Sequence, residues 1–434
     1  MASPTRSDAA LANPAFRAVW LASIFSFIGT WVQDVGQSWL MLRMSREPMW
    51  VAALSMCVLG PGLLLTLPAG LLADRSDRRT ILLYSQAVQA LAAAAPAVAA
   101  RAGLLHPGVL LASAAVLGLA MTVGAPAWAT LVPELLPRKK ITEAITLGSI
   151  AFNIARVVGP ALGGFLLALA GAEVTFVVNA VSFLAVLWVL AHYPEVKATS
   201  EAPRRHETQR LAGALLEPFR TVRKSGALCG AFASAGAFLF SASVAVSILP
   251  AFAKHSLGAS ASGYGALLSA LGCGAIASGL LLSRARARFG VRAVVTAGTA
   301  IYGSGMLLAA LAPRVSVALP LFFFAGLGWL ACLSTLAATV QLSVGPESKS
   351  RVMALYQLDF YALATVGAAL GGVIATHVGE RSAIALGGLG SVLSAVLAAR
   401  TALPTTRTAS ETETETGSGS ETETESESGT ASAA

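Results

Sequence analysis

The chain has 434 residues, 55% of them hydrophobic and only 12% charged, with a formal net charge of +8 and a mean hydropathy of +0.70. A soluble globular domain carries about a quarter of its residues charged, so this composition excludes one and makes lipid the solvent. The basic residues are spread through short loops between apolar runs, which argues against nucleic-acid binding.

Several apolar runs exceed the ~20 residues that cross a bilayer. A lipid-exposed backbone must satisfy its own hydrogen bonds, so these runs are helices. Twelve are predicted, over 17–42, 50–73, 80–100, 108–133, 141–169, 173–193, 225–253, 260–283, 291–312, 316–340, 351–377 and 381–403. The mostly polar residues 1–16 predict a cytoplasmic segment and no cleaved signal peptide. Placing both termini in the cytoplasm puts 23 of the 30 Lys and Arg residues on that side, which fixes the expected topology. Arg43, Arg46, Arg101, Lys254, Arg314 and Arg381 then face outward, and Arg156 lies within the membrane.

The first helix carries Asp34. At 100° per residue, Ser23, Thr30, Trp31 and Ser38 share its face. An ionisable group at a span centre costs about 2.5–3.5 kcal/mol, so it is expected to face a cavity or a partner. The second helix closes on "GLLADRSDRR", Gly70 to Arg79. The fifth holds "IARVVGPALGG", Ile154 to Gly164, with Arg156 four residues before Pro160. Proline lacks the N–H that would bond the Arg156 carbonyl, so a bend is expected there. Ala155, Gly159 and Gly163 recur every four residues and make a small face for close helix packing. Thr142, Ser149 and Asn153 share the face of Arg156. Two polar stripes on helices of opposite charge predict a water-filled cavity between Asp34 and Arg156.

Residues 194–224 are the one long polar interruption and predict a cytoplasmic loop between a six-helix bundle over 17–193 and another over 225–403. The halves echo each other: "VPELLPRKK…GPALGG" in the first matches "GPESKSR…GAALGG" in the second. Such repeats mark many transporter folds, with a site at the repeat interface. In the second half, Trp329 lies deep in its span and, with Trp31, is placed to stack on a planar substrate. Asp359 lies on the eleventh helix, about 12 Å from Arg351 at 1.5 Å per residue. It is read as a cavity or proton-coupling group, or as a partner of the loop arginines. Residues 404–434, with seven glutamates, predict a disordered acidic tail. Four single cysteines and five loop histidines form no cluster, so no metal and no cofactor are expected.

"GLLADRSDRR" resembles the loop motif of the major facilitator superfamily, with Asp77 where the family usually has glycine. The resemblance covers about residues 13–403. "WLMLRMSREPMWVAALSMCVLGPGLLLTLPAGLLADRSDRR", "GAPAWATLVPELLPRKK" and "SRVMALYQ" are similar to its drug- and siderophore-exporter branch. The resemblance implies an all-α membrane protein of twelve helices in two pseudo-symmetric halves, not an enzyme. It also implies a cytoplasmic latch of Gly70, Asp74, Arg75, Arg78 and Arg79. There Asp74 would favour the positive end of the eleventh helix, and the arginines would pair with acids of neighbouring loops to hold the outward-facing state. "GPALGG" resembles the superfamily's antiporter-associated motif, which places Gly159, Pro160, Gly163 and Gly164 in the transport cycle or in packing alone.

The resulting expectation is a monomeric cell-membrane exporter of a small amphipathic molecule, driven by the proton gradient. Its cavity is lined by Thr30, Trp31, Ser149, Asn153 and Trp329. Asp34 carries the proton, or it only binds a cationic substrate or caps a polar cluster. An importer or facilitator, or a non-transporting sensor or assembly protein on the same scaffold, is the alternative.

Overall fold

A computed structural model describes residues 10–45, 47–193, 211–345 and 348–403. The acidic tail and most of the predicted N-terminal and central segments lie outside the described residues. The helices are α1 (Pro14–Ser45), α2 (Pro48–Arg75), α3 (Arg78–Arg101), α4 (Pro107–Glu134), α5 (Ile141–Ala170), α6 (Ala172–His192), α7 (Leu211–Lys224), α8 (Gly226–Val246), α9 (Leu249–Ala251), α10 (Ala261–Ala309), α11 (Val315–Leu342), α12 (Lys349–His377) and α13 (Glu380–Arg400). A π-helical turn over Phe252–Ser256 prolongs α9.

At 49 residues, α10 would be about 74 Å long if straight, more than twice the hydrocarbon thickness. It breaks at Gly290, whose φ of 80° suits a residue without a Cβ. Gly274 and Gly279 of the first arm lie against Phe323 and Leu330 of α11, so that arm runs parallel to α11. Gly298 and Gly305 of the second arm lie against Gly328 and Leu321, so that arm runs antiparallel. The chain therefore reverses at Gly290, and the predicted eighth and ninth spans are the two arms. With these counted separately, the twelve predicted spans are all present, and the molecule is an all-α, multi-pass membrane protein.

The central interruption is not all loop: Leu211–Lys224 form α7. This fourteen-residue amphipathic helix is too short and too polar to cross a bilayer.

The rotation of α1 is set by a buried polar chain that the sequence did not announce. Asn179 of α6 donates to Gln33 (2.7 Å), Gln33 donates to Gln37 (3.1 Å), and Gln37 donates to the Leu110 carbonyl of α4 (2.9 Å). Buried amides need such partners, so Gln33 and Gln37 turn inward. Asp34 lies about 100° round the helix from Gln33 and about 60° from Gln37, on the flank of that network. Gly36 makes the approach possible, since a Cβ there would stand 2.0 Å from the Thr175 hydroxyl.

The repeated glycine segments occupy equivalent places. In α5, a Cβ at Gly159 or Gly163 would press on Trp31 or Val32 of α1, at 2.4 and 3.0 Å. In α12, a Cβ at Gly367 or Gly371 would press on the Phe240 and Val244 carbonyls of α8, both at 2.3 Å. The last glycine of each segment reaches the other half. A Cβ at Gly164 would stand 2.7 Å from the Ala261 carbonyl of α10, and one at Gly372 would stand 2.7 Å from the side chains of Ala52 and Met49 of α2.

Candidate functional site

A cavity of about 150 Å³ lies between the halves. α1 contributes Trp31, Asp34 and Ser38, α2 Ser55, and α5 Arg156. Tyr264 and Leu271 of α10, Trp329 of α11, and Ser247 and Pro250 around α9 close the other side. The structure thus brings Asp34, Arg156, Trp31 and Trp329 together around one cavity. Asp34 is accessible, and the surface it presents faces this cavity within the span. Among the described residues no ion pair joins Asp34 to Arg156.

Arg156 is held by its aromatic surroundings. Its Cζ lies 5.7 Å from the centroid of the Trp329 ring, a cation–π contact. Trp329 packs edge-on to Phe238 and tilted to Tyr302, at 5.6 Å each, and Tyr302 donates to the Ala242 carbonyl (3.3 Å). The buried Nε of Arg156 has no hydrogen-bond partner. A guanidinium with spare donors in a cavity wall can accept an anionic or carbonyl-bearing group.

The cavity is roofed at the end away from the loop motif. There Trp39 of α1 stacks on Tyr264 of α10, with centroids 6.0 Å apart, and the Lys254 ammonium lies 5.7 Å from the Trp39 centroid. α5 and α10 close the same end. A Cβ at Gly265 would stand 2.4 Å from the Pro160 carbonyl, and one at Gly272 would stand 2.7 Å from the Arg156 carbonyl. The carbonyl that Pro160 frees is thus one of three that α10 approaches. Next to it, Ser269 donates to the Val157 carbonyl (2.8 Å). Gly159 and Gly163 pack within the half, while Pro160 and Gly164 pack across to α10.

The remaining predicted residues lie elsewhere. Thr30, Ser149 and Asn153 do not line this cavity. Each donates to a carbonyl four residues earlier on its own helix, at 3.0, 3.1 and 2.8 Å, and Ser149 is exposed on α5 toward the loop-motif end. Asp359 is also absent from the cavity wall. Its Oδ1 lies 3.2 Å from where Gly236 would carry a Cβ, inside the second half, and its buried Oδ2 has no hydrogen-bond partner. Of the loop arginines, Arg351 pairs with Glu217 of α7. Helical phase gives direction around an axis, and it says nothing about which neighbour lies there. The sequence reading missed Ser55 and Tyr264, which are ordinary residues in apolar spans and gave no signal.

In the loop motif, the side chains of Asp74 and Arg75 lie outside the described residues. A Cβ on Gly70 would meet open space. Arg79 donates to the Leu190 and Ala191 carbonyls at the end of α6 (2.9 and 3.1 Å), as basic side chains do at helix C-termini; among the described residues no ion pair joins it to an acid. Asp77 caps α3, accepting from the Thr80 amide (2.8 Å) and hydroxyl (2.6 Å). That explains an acid where the family motif has glycine. The Thr80 hydroxyl chiefly, with the Thr80 and Arg79 amides, holds the Asp77 carboxyl below its ordinary range. Asp77→Ala should cost about 1 kcal/mol of stability, read as a lower melting temperature in detergent. The wild-type advantage should be full above about pH 4 and fade as pH falls through the depressed value.

Comparisons with known proteins agree with this architecture. The chain is 30% identical over 186 residues to the staphyloferrin A transporter of Staphylococcus aureus, covering 42% of this chain and 47% of that protein. It is 26% identical over 397 residues to the enterobactin exporter EntS of Citrobacter koseri, covering 89% of this chain and 91% of that one. A peptide transporter of the POT type superposes with a TM-score of 0.73 at 13% identity, over 89% of this chain and 94% of that one. A bacterial homologue of the iron transporter ferroportin, in its inward-facing state, gives 0.67 at 16% identity, over 89% and 98%. At such identities these superpositions establish the fold alone. A family model described as transmembrane secretion effector matches residues 5–430, and the chain belongs to that family of the major facilitator superfamily.

Proposed function

We propose that this protein is a secondary transporter that exports a small amphipathic molecule in exchange for protons. It would sit in the cell membrane with both termini in the cytoplasm, and its two halves would rock about the cavity. One observation carries this reading: Asp34 and Arg156, opposite charges without an ion pair, line one cavity between the halves, with Trp39 stacked on Tyr264 at the end away from the loop motif. With the basic loops on the cytoplasmic side, the roofed end faces outward. Asp34 is the proton carrier, because a carboxylate that changes surroundings as the halves move changes its proton affinity. Arg156 and Trp329 hold the substrate.

The test uses everted membrane vesicles and a panel of compounds beginning with staphyloferrin A and enterobactin, followed by macrolides and dyes. Uptake of at least one compound should rise when the vesicle lumen is acid and collapse with a protonophore. Uptake indifferent to the gradient would remove proton coupling from the proposal. A non-transporting scaffold would move no compound on the panel.

A further inference from the structure

We infer that α7 is a lipid-docking element whose exposed face binds anionic phospholipid headgroups. Ser225 alone separates α7 from α8, the span that begins at Gly226. Ser225 also caps α8, accepting from the Leu228 amide (3.4 Å), and its own amide bonds the Val222 carbonyl (3.1 Å). The last turn of α7 is therefore fixed at the mouth of a membrane span, at headgroup depth. Phe219, Arg220, Arg223 and Lys224 are all exposed there, Phe219 by 53% of its surface. At 100° per residue they fall within an arc of about 140°. Pro218 and Val222 turn inward, Val222 packing on the core of the second half.

A large apolar ring flanked by three cations matches the boundary between phosphate groups and acyl chains. Near an anionic leaflet, each such cation adds about 1 kcal/mol of attraction that decays within a Debye length. The helix is also tied to the moving parts. Glu217 accepts from Arg351 of α12 and lies 3.5 Å from the Ser348 hydroxyl at the start of that helix. α12 in turn touches α2 across the interface through Gly372. Headgroups held by α7 therefore bear on a helix that joins the halves. The inference does not depend on the transported compound.

Hydrogen exchange of the full-length protein in nanodiscs tests it. Discs of phosphatidylcholine alone are compared with discs containing one part phosphatidylglycerol to three. Amides of 217–224 should exchange roughly ten-fold more slowly in the anionic discs, and 0.5 M salt should abolish the difference. The triple variant Arg220→Gln, Arg223→Gln, Lys224→Gln should lose the difference while its spans keep their protection. Equal exchange in both discs, or a headgroup effect that survives in the triple variant, would overturn the inference. Protection that appears only when cytosolic protein is added would assign the face to a protein partner instead.

Discussion

Gly164→Leu is expected to abolish transport while leaving each half folded. The added side chain would have to occupy the space of the Ala261 carbonyl and Ser262, which belong to the opposite half. Overpacking of this kind costs about 1–3 kcal/mol in a well-packed core. Here the strain is relieved by parting the halves at the roofed end, so it acts on the conformational equilibrium. A bias of that size shifts the ratio of states by roughly 5- to 150-fold. Gly159→Leu is the control: it strikes Trp31 within the same half, at 2.4 Å, and no rocking relieves it. That variant should lower the melting temperature. Gly164→Leu should leave the melting temperature nearly unchanged and make Ser262→Cys, in a background without native cysteines, react faster with an impermeant thiol reagent from outside. Normal flux with unchanged labelling would mean that the contact at Gly164 is incidental to the cycle.

Much of this was legible in the sequence because the residues concerned are costly where they stand. Asp34, Arg156 and Pro160 interrupt apolar helices, and the structure gathers the two charges in one cavity wall and sets the proline's freed carbonyl against α10. The repeat also read through, since both glycine segments pack on a helix of their own half and on one of the other. What did not read through depends on neighbours. Gly163 and Gly164 are adjacent and identical in type, yet one serves α1 and the other α10, a division made by the 100° between them. Asp359 has the same credentials as Asp34, but its helix turns it toward Gly236 and away from the cavity. Gln33, Gln37 and Asn179 look like scattered polar residues until three helices align them. α7 was hidden because it is shorter than a membrane span and charges interrupt its apolar residues.

Asp34→Asn is expected to uncouple the transporter: gradient-driven accumulation should fall at least ten-fold, while exchange of labelled for unlabelled substrate persists. The amide keeps the shape and hydrogen-bonding reach of the carboxylate but cannot load and release a proton. If Asp34 instead binds a cationic part of the substrate, the same change should weaken exchange and accumulation together, so the ratio of the two rates separates the roles. Asp359→Asn should leave the response to the gradient intact, because Asp359 does not line the cavity. Arg156→Lys keeps a positive charge but loses the planar fork and its stacking over Trp329, at 5.7 Å in the wild type. It should raise the substrate concentration for half-maximal flux several-fold with coupling unchanged. Wild-type accumulation in Asp34→Asn would move the proton to another group, and the unpartnered carboxylate of Asp359 would become the first alternative to test.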